Sequence, residues 1–190
     1  MMTQSHFLVS GLLAHGLRRR ELDVRVPAFL VGSVAPDLPL TLLTVWFYYV
    51  PLGGLASTHD DLFGPLYDQY FFEDPFWIVS HNTLHAPLVL IALILVGRAL
   101  TRRGLGLGPA LAWFAIAALL HSAIDVVTHV QDGPLLFFPF EWSYRFPAPV
   151  SYWDPRHGGA VFSRVEWGLD LAIVAYFLVF WWREWRRGAS

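Results

Sequence analysis

"LLHSAIDVVTHVQDG", residues 119–133, closes an apolar run long enough to cross a bilayer, yet it carries His121, Asp125, His129 and Asp132. A helix needs about 20 mostly apolar residues to span the hydrocarbon core, and 108–130 supplies them with the polar groups gathered near one end. At about 100° per residue, positions 121, 125, 129 and 132 fall within roughly 80° of one another, a single face of a continuous helix. A carboxylate at the bilayer centre costs about 2.5–3.5 kcal/mol on insertion scales. The stretch therefore predicts a membrane helix that turns its polar face toward partners inside a bundle.

The rest of the chain fits that solvent. Of its 190 residues 55% are hydrophobic and only 15% charged, too apolar for an ordinary soluble domain. Segments 27–50, 84–100 and 165–182 also meet the length rule, while 6–17 reaches about half of it. Ten-residue alternating strands, the mark of a membrane barrel, do not occur. The expected architecture is an all-α integral membrane helical bundle with four full transmembrane helices plus a short N-terminal helix, a single domain over 1–190. "MMTQS" has no positive n-region and no small-residue cleavage site follows it, so the first helix is expected to stay in the mature protein.

Several chemistries fall away at once. With no cysteine, disulfides, thiolate metal sites, covalent haem attachment and cysteine nucleophiles are excluded. Every basic residue apart from histidine is arginine, which removes Schiff-base chemistry and a P-loop lysine. A net charge of −2 gives no support to nucleic-acid binding.

Arginine placement predicts orientation. Arg18, Arg19, Arg20 and Arg25 precede the first full span, Arg98, Arg102 and Arg103 follow the second, and Arg183, Arg186 and Arg187 follow the last. By the positive-inside rule these clusters share the cytoplasmic side. Loops 51–80, with Asp60, Asp61, Asp68, Glu73 and Asp74, and 131–164 then lie outside, although the second carries Arg145, Arg156 and Arg164 against the rule. Trp46, Trp77, Trp142, Trp153, Trp181, Trp182 and Trp185 fall near span ends, as an aromatic belt requires.

On this topology the polar residues reach one layer. His121, Asp125 and His129 occupy the outward half of their span, and His81 and His85, in "SHNTLHAP", stand where the chain re-enters from outside. Asp37, in "GSVAPDLP", lies about ten residues, or roughly 15 Å, into its span. His6 joins them if the first helix runs inward to the arginines. A lone intramembrane histidine is usually a hydrogen-bond partner between helices, but a set at matching depth is better explained by a divalent cation, which neutralises both Asp37 and Asp125. The candidate metal ligands are His6, Asp37, His81, His85, His121 and Asp125, holding one or two divalent ions, zinc favoured, with manganese or magnesium as alternatives. His129 is a further ligand or the general acid for a leaving group, and Arg145, Arg156 and His157 could clamp an anionic substrate. His15 and His59 read as ordinary interface or loop histidines, and "FFPFEW" as an interfacial anchor.

These residues resemble a family. His6, the Pro36–Asp37 pair after a small-residue stretch, the histidines before a span, and His121-x3-Asp125 followed by Thr128 and the Gly133–Pro134 turn look like the predicted membrane-bound metal-dependent hydrolases of the YdjM-like type. The chain departs from that pattern where a His-Arg followed by Thr-His-Ser is expected and "SHNTLHAP" stands instead, which leaves open whether His81 or His85 is the direct ligand. The order of ligands is also similar to the zinc-dependent phospholipase C and S1/P1 nuclease fold, in which the helical Asp bridges metals. The resemblance implies a hydrolase of a prokaryotic-type plasma membrane, and the ligand chemistry puts Asp125 and His129 at its catalytic centre. The centre would face the non-cytoplasmic side and act on phosphoester bonds of lipid or lipid-linked substrates. The competing functions are a haem b electron carrier, which needs paired histidines on facing helices, and a proton or metal transporter, which uses intramembrane Asp and His as relays.

Overall fold

A computed structural model describes residues 1–49 and 63–188. Position 50 and residues 51–62 of the expected outer loop, including His59, Asp60 and Asp61, lie outside the described residues, and the rest of that expected loop is helical, forming α4 and most of α5. Within them the chain is all-helical, with one isolated bridge between Leu135 and Arg145 and no strand. Eight α-helices follow in order: α1 Thr3–Arg19, α2 Val26–Val34, α3 Asp37–Tyr49, α4 Pro65–Glu73, α5 Pro75–Asn82, α6 Pro87–Arg102, α7 Leu107–Thr128 and α8 Gly159–Gly188.

Four full spans were expected, and the structure has two continuous ones, α7 and α8. The other two exist only as bent pairs, α2 with α3 at 42° and α5 with α6 at 47°, so the count reaches four if each pair is one span. Proline explains the breaks. Pro36 lacks the N–H that would continue α2 and its ring clashes with the preceding turn. Pro87 occupies the first turn of α6, where its missing N–H is not needed. Asp74 marks the start of α5 by accepting the Trp77 amide at 3.0 Å. The N-terminal helix is longer than the expected 6–17, at 17 residues. α8 outruns its expected 165–182 at both ends.

α7 stops at Thr128, two residues short of its expected end, because His129 turns to an extended backbone (φ −127°, ψ 119°). The single helical face expected for 121, 125, 129 and 132 is therefore cut after Asp125. Asp132 leaves it altogether and accepts a hydrogen bond from Trp153 Nε1 at 2.9 Å.

α7 lies between α2 and α6, and glycine permits the approach. A Cβ on Gly32 would stand 2.2 Å from the Phe114 carbonyl oxygen, and one on Gly97 2.6 Å from the Ala112 nitrogen. Such small-residue contacts are how helices pack closely where lipid removes the hydrophobic drive between them. α1 packs on α2 and α8. α3, α4 and α5 join through an aromatic cluster in which Phe47, Tyr67 and Trp77 meet edge to face at 5.4–6.0 Å.

Candidate metal centre

Both helix breaks place a polar side chain against the unbroken α7. Asp37 opens α3 immediately after the Pro36 break, and His85 lies in the break before α6. Irregular backbone at membrane depth is tolerated where it lines a cavity inside the protein. The cavity here is about 1110 Å³, with Asp37, His81, His85, Asp125 and His129 on its walls.

Asp125, 2% exposed, is the hub. His85 Nε2 and His121 Nε2 lie 2.9 and 3.0 Å from its Oδ2. His6 Nε2 lies 3.0 Å from Oδ1, and the Met1 amine 2.7 Å from the same atom. Asp37 stands on the other side of His121, its Oδ1 3.2 Å from Nε2, while its Oδ2 accepts a hydrogen bond from Thr3 at 2.5 Å. One ligand atom from each of Asp37, His85, His121 and Asp125 lies within 4.8 Å of the other three.

The chemistry of His121 tests whether a cation fits. Its Nδ1 lies 2.8 Å from the Ser33 carbonyl oxygen, which can only accept, so Nδ1 carries the hydrogen. Nε2 faces Asp37 Oδ1 and Asp125 Oδ2 at 3.2 and 3.0 Å, where a protonated ring pairs with the two carboxylates and a neutral ring adds a third acceptor between them. Two buried carboxylates on one imidazole nitrogen call for positive charge, which a proton on the ring or a cation between the three atoms supplies. The two distances from His121 Nε2 are those of ordinary hydrogen bonds and also lie near the roughly 3.3 Å expected between ligands of a tetrahedral ion bonded at about 2.0–2.1 Å. The fixed tautomer is also what a carbonyl behind a metal-binding imidazole provides. The residues fit a divalent cation.

The remaining expected site residues divide. His6 stacks on His121 with ring centroids 3.6 Å apart and touches Asp125 from the Oδ1 side, outside the four-atom group. His81 lies one layer away, edge-on to His85 at 4.8 Å and tilted against Phe71 at 5.3 Å, so His85 is the one that reaches Asp125. His129 donates from Nδ1 to the Asp125 carbonyl at 3.0 Å and lines the cavity. Burial pushes its pKa down.

The loop between α7 and α8 forms the cavity rim. Asp154 holds both Arg156, at 2.9 Å, and His157, at 3.1 Å. The Arg156 guanidinium, followed by the Arg156 amide, holds the Asp154 carboxyl below the usual carboxylate range. Arg145 does not line the cavity. It donates to the Gly133 carbonyl and sits over the faces of Phe71 and Phe72, at 5.1 and 5.4 Å, two rings that do line it. Burial lowers its pKa to about 10, which leaves it charged at neutral pH.

Two buried acids of α8 were not among the expected site residues. Glu166 and Asp170 of α8 are buried against the start of α1. The available signal was two carboxylates four residues apart inside an apolar run, the same signal that singled out Asp125. Ser33, whose carbonyl fixes the His121 tautomer, left no trace in sequence because it acts through backbone.

A family model described as "YdjM inner membrane protein" matches residues 1–189. No solved structure matches the chain, so the likeness to the phospholipase C and S1/P1 nuclease fold rests on residue order alone.

Proposed function

The chain belongs to the YdjM inner membrane protein family, and from that premise we propose that it is a metal-dependent hydrolase acting on phosphoester bonds of lipid or lipid-linked substrates. The observation that carries the reading is the convergence of one ligand atom from each of Asp37, His85, His121 and Asp125 within 4.8 Å, with the His121 ring oriented by the Ser33 carbonyl. A divalent cation held by Asp37, His85, His121 and Asp125 supplies Lewis acidity toward a phosphoryl oxygen and makes water acidic enough to ionise near pH 7. Imidazole with carboxylate suits zinc first, with manganese or magnesium as alternatives. The other oxygen of Asp125 faces His6 and the Met1 amine, so His6 would be a ligand should a second ion bind.

The chain's own groups then have separable tasks. Ser33 fixes His121, and Ser122 donates to the His85 carbonyl at 2.5 Å and fixes the break that carries that imidazole. His129 keeps Nδ1 on the Asp125 carbonyl, so Nε2 is the atom left to pass a proton to a leaving group. Arg156 and His157 clamp the anionic group at the rim, while Arg145 supports the wall through Phe71 and Phe72. Leu40, Val45, Phe71 and Phe72 give that cavity an apolar side suited to an acyl or prenyl chain. Haem b is a poorer occupant, because both imidazoles near Asp125 Oδ2 share a carboxylate where axial ligation needs open faces.

The test is hydrolysis by purified protein of phospholipid and of lipid-linked pyrophosphate, with zinc or manganese added. Phosphate or headgroup release that chelator abolishes and metal restores is expected. A metal-loaded protein that cleaves neither substrate contradicts the reading. The proposed non-cytoplasmic orientation is checked with a single cysteine at the exposed Ser143, in a chain without native cysteine. An impermeant thiol reagent should label it in intact cells, and labelling only after lysis reverses the orientation.

A further inference from the structure

We propose that Glu166 and Asp170 of α8 are positioning residues that seat the first turn of α1 in the metal centre, an inference that rests on the reading of that centre given above. Neither belongs to the four-ligand group. Glu166 Oε1 accepts the Met2 amide at 2.7 Å and Asp170 Oδ2 accepts the Ser5 hydroxyl at 2.8 Å. The two carboxylates are four residues apart, so they share one face of α8 and grip two points one turn apart on α1.

Between and beside those points lie the residues that α1 gives to the centre. Thr3 donates to Asp37 Oδ2 at 2.5 Å, and His6 reaches Asp125 Oδ1 at 3.0 Å. Successive helical residues point about 100° apart, so with Ser5 held on α8, the next side chain is turned toward α7. α1 has no side-chain cap of its own. Glu166 supplies from a neighbouring helix what a capping-box glutamate supplies from the third residue, an acceptor for the N-cap amide, and both carboxylates suit the positive end of the helix.

Simple adhesion between α1 and α8 does not call for this arrangement. Both acids are more than nine-tenths buried, and Glu166 Oε2 and Asp170 Oδ1 find no hydrogen-bond partner among the described residues. Carboxylates on an apolar span are costly, and apolar contacts hold helices together more cheaply. What the acids add is direction: a fixed rotation of α1 that presents Thr3 and His6 together.

The test follows each histidine separately by mass spectrometry after diethyl pyrocarbonate treatment of the full chain in detergent with chelator. His157, with its side chain 41% exposed, is the reference for reagent access, and His6, 1% exposed, should react slowly. Asp170→Ala and Ser5→Ala remove the same hydrogen bond from opposite ends. Each should raise the His6 rate about tenfold, with the double variant no faster than either. Asp170→Asn, which keeps an oxygen acceptor, should restore protection. His85 and His121 should stay slow throughout. A His6 rate unchanged in Ser5→Ala overturns the inference, and so does a joint rise at His6, His85 and His121, which marks general loosening. Zinc titration separates the two readings. A wild type that binds no zinc sinks the hydrolase reading and leaves His6 protection to decide this one, whereas tight wild-type binding with unshifted affinity in Ser5→Ala overturns the positioning role alone.

Discussion

Asp125 on α7 and Asp170 on α8 are both buried carboxylates on apolar helices, each a turn from a second polar residue, yet they stand in opposite surroundings. Both Asp125 oxygens are engaged, with His6, His85, His121 and the Met1 amine all within 3.0 Å. Asp170 has one hydroxyl at 2.8 Å and one oxygen bare. A charged residue in a span therefore does not by itself mark a reactive centre. What distinguishes Asp125 is the kind of neighbour: imidazoles, one of them oriented by a backbone carbonyl so that its Nε2 faces inward, and a second carboxylate across it.

Substitution should separate the two acids most sharply at Asp125 itself. Asp125→Asn keeps the shape and loses the charge, and it should cut metal affinity by more than the roughly 10- to 100-fold typical of residues that only orient ligands, abolishing hydrolysis. Calorimetric zinc titration checks this, and an affinity unchanged from wild type would break the comparison. Within the centre, His85→Ala should cost about 100-fold in zinc affinity and His81→Ala distinctly less, since only His85 reaches Asp125. Equal losses would place His81 among the ligands. Ser122→Ala, which frees the His85 carbonyl, should cost about 10-fold by the same titration.

Smaller effects sharpen the α8 side. His15 packs edge-on against Phe180 at 4.6 Å, far from the ligand group. His15→Ala should leave metal binding and hydrolysis intact and lower stability by about 1 kcal/mol, read as a small fall in Tm. The smallest effect concerns the rim. Asp154 has a depressed pKa in the fold, so its contribution is complete above its unfolded value near 3.9 and is lost as pH falls through the folded value. Below about pH 4 the unfolded chain takes up that proton first, and stability declines with pH. Asp154→Asn should flatten this acid limb in thermal melts, and an unchanged slope would show that the Arg156 pair is fully screened.

The long apolar runs were legible in sequence because their length is a direct consequence of bilayer thickness, whereas α4 and most of α5 fall in 51–80, which was expected to be an outer loop. The division of two spans was not, although Pro36 and Pro87 were in plain view, because a proline in a membrane helix can be accommodated as well as disruptive. His121 and Asp125 were readable together from spacing on one continuous helix. Asp37 and His85 were readable only as residue types at matching depth, and it is the bends that bring them to α7. The choice between His81 and His85 depends on that bend, since His81 stays on α5 while His85 falls in the break itself. Glu166 and Asp170 were missed because their partners are a backbone amide and a serine hydroxyl on a helix more than 160 residues away, and neither partner announces itself.

The central claim, that α7 carries a metal centre, is tested most directly by metal analysis of protein purified without chelator or polyhistidine tag. One or two divalent ions per folded chain are predicted, with zinc foremost and none retained in Asp125→Asn. A folded wild type that carries no divalent metal, and takes up none when zinc or manganese is supplied, would contradict the account and leave His6, His85, His121 and Asp125 as a hydrogen-bonded joint between helices.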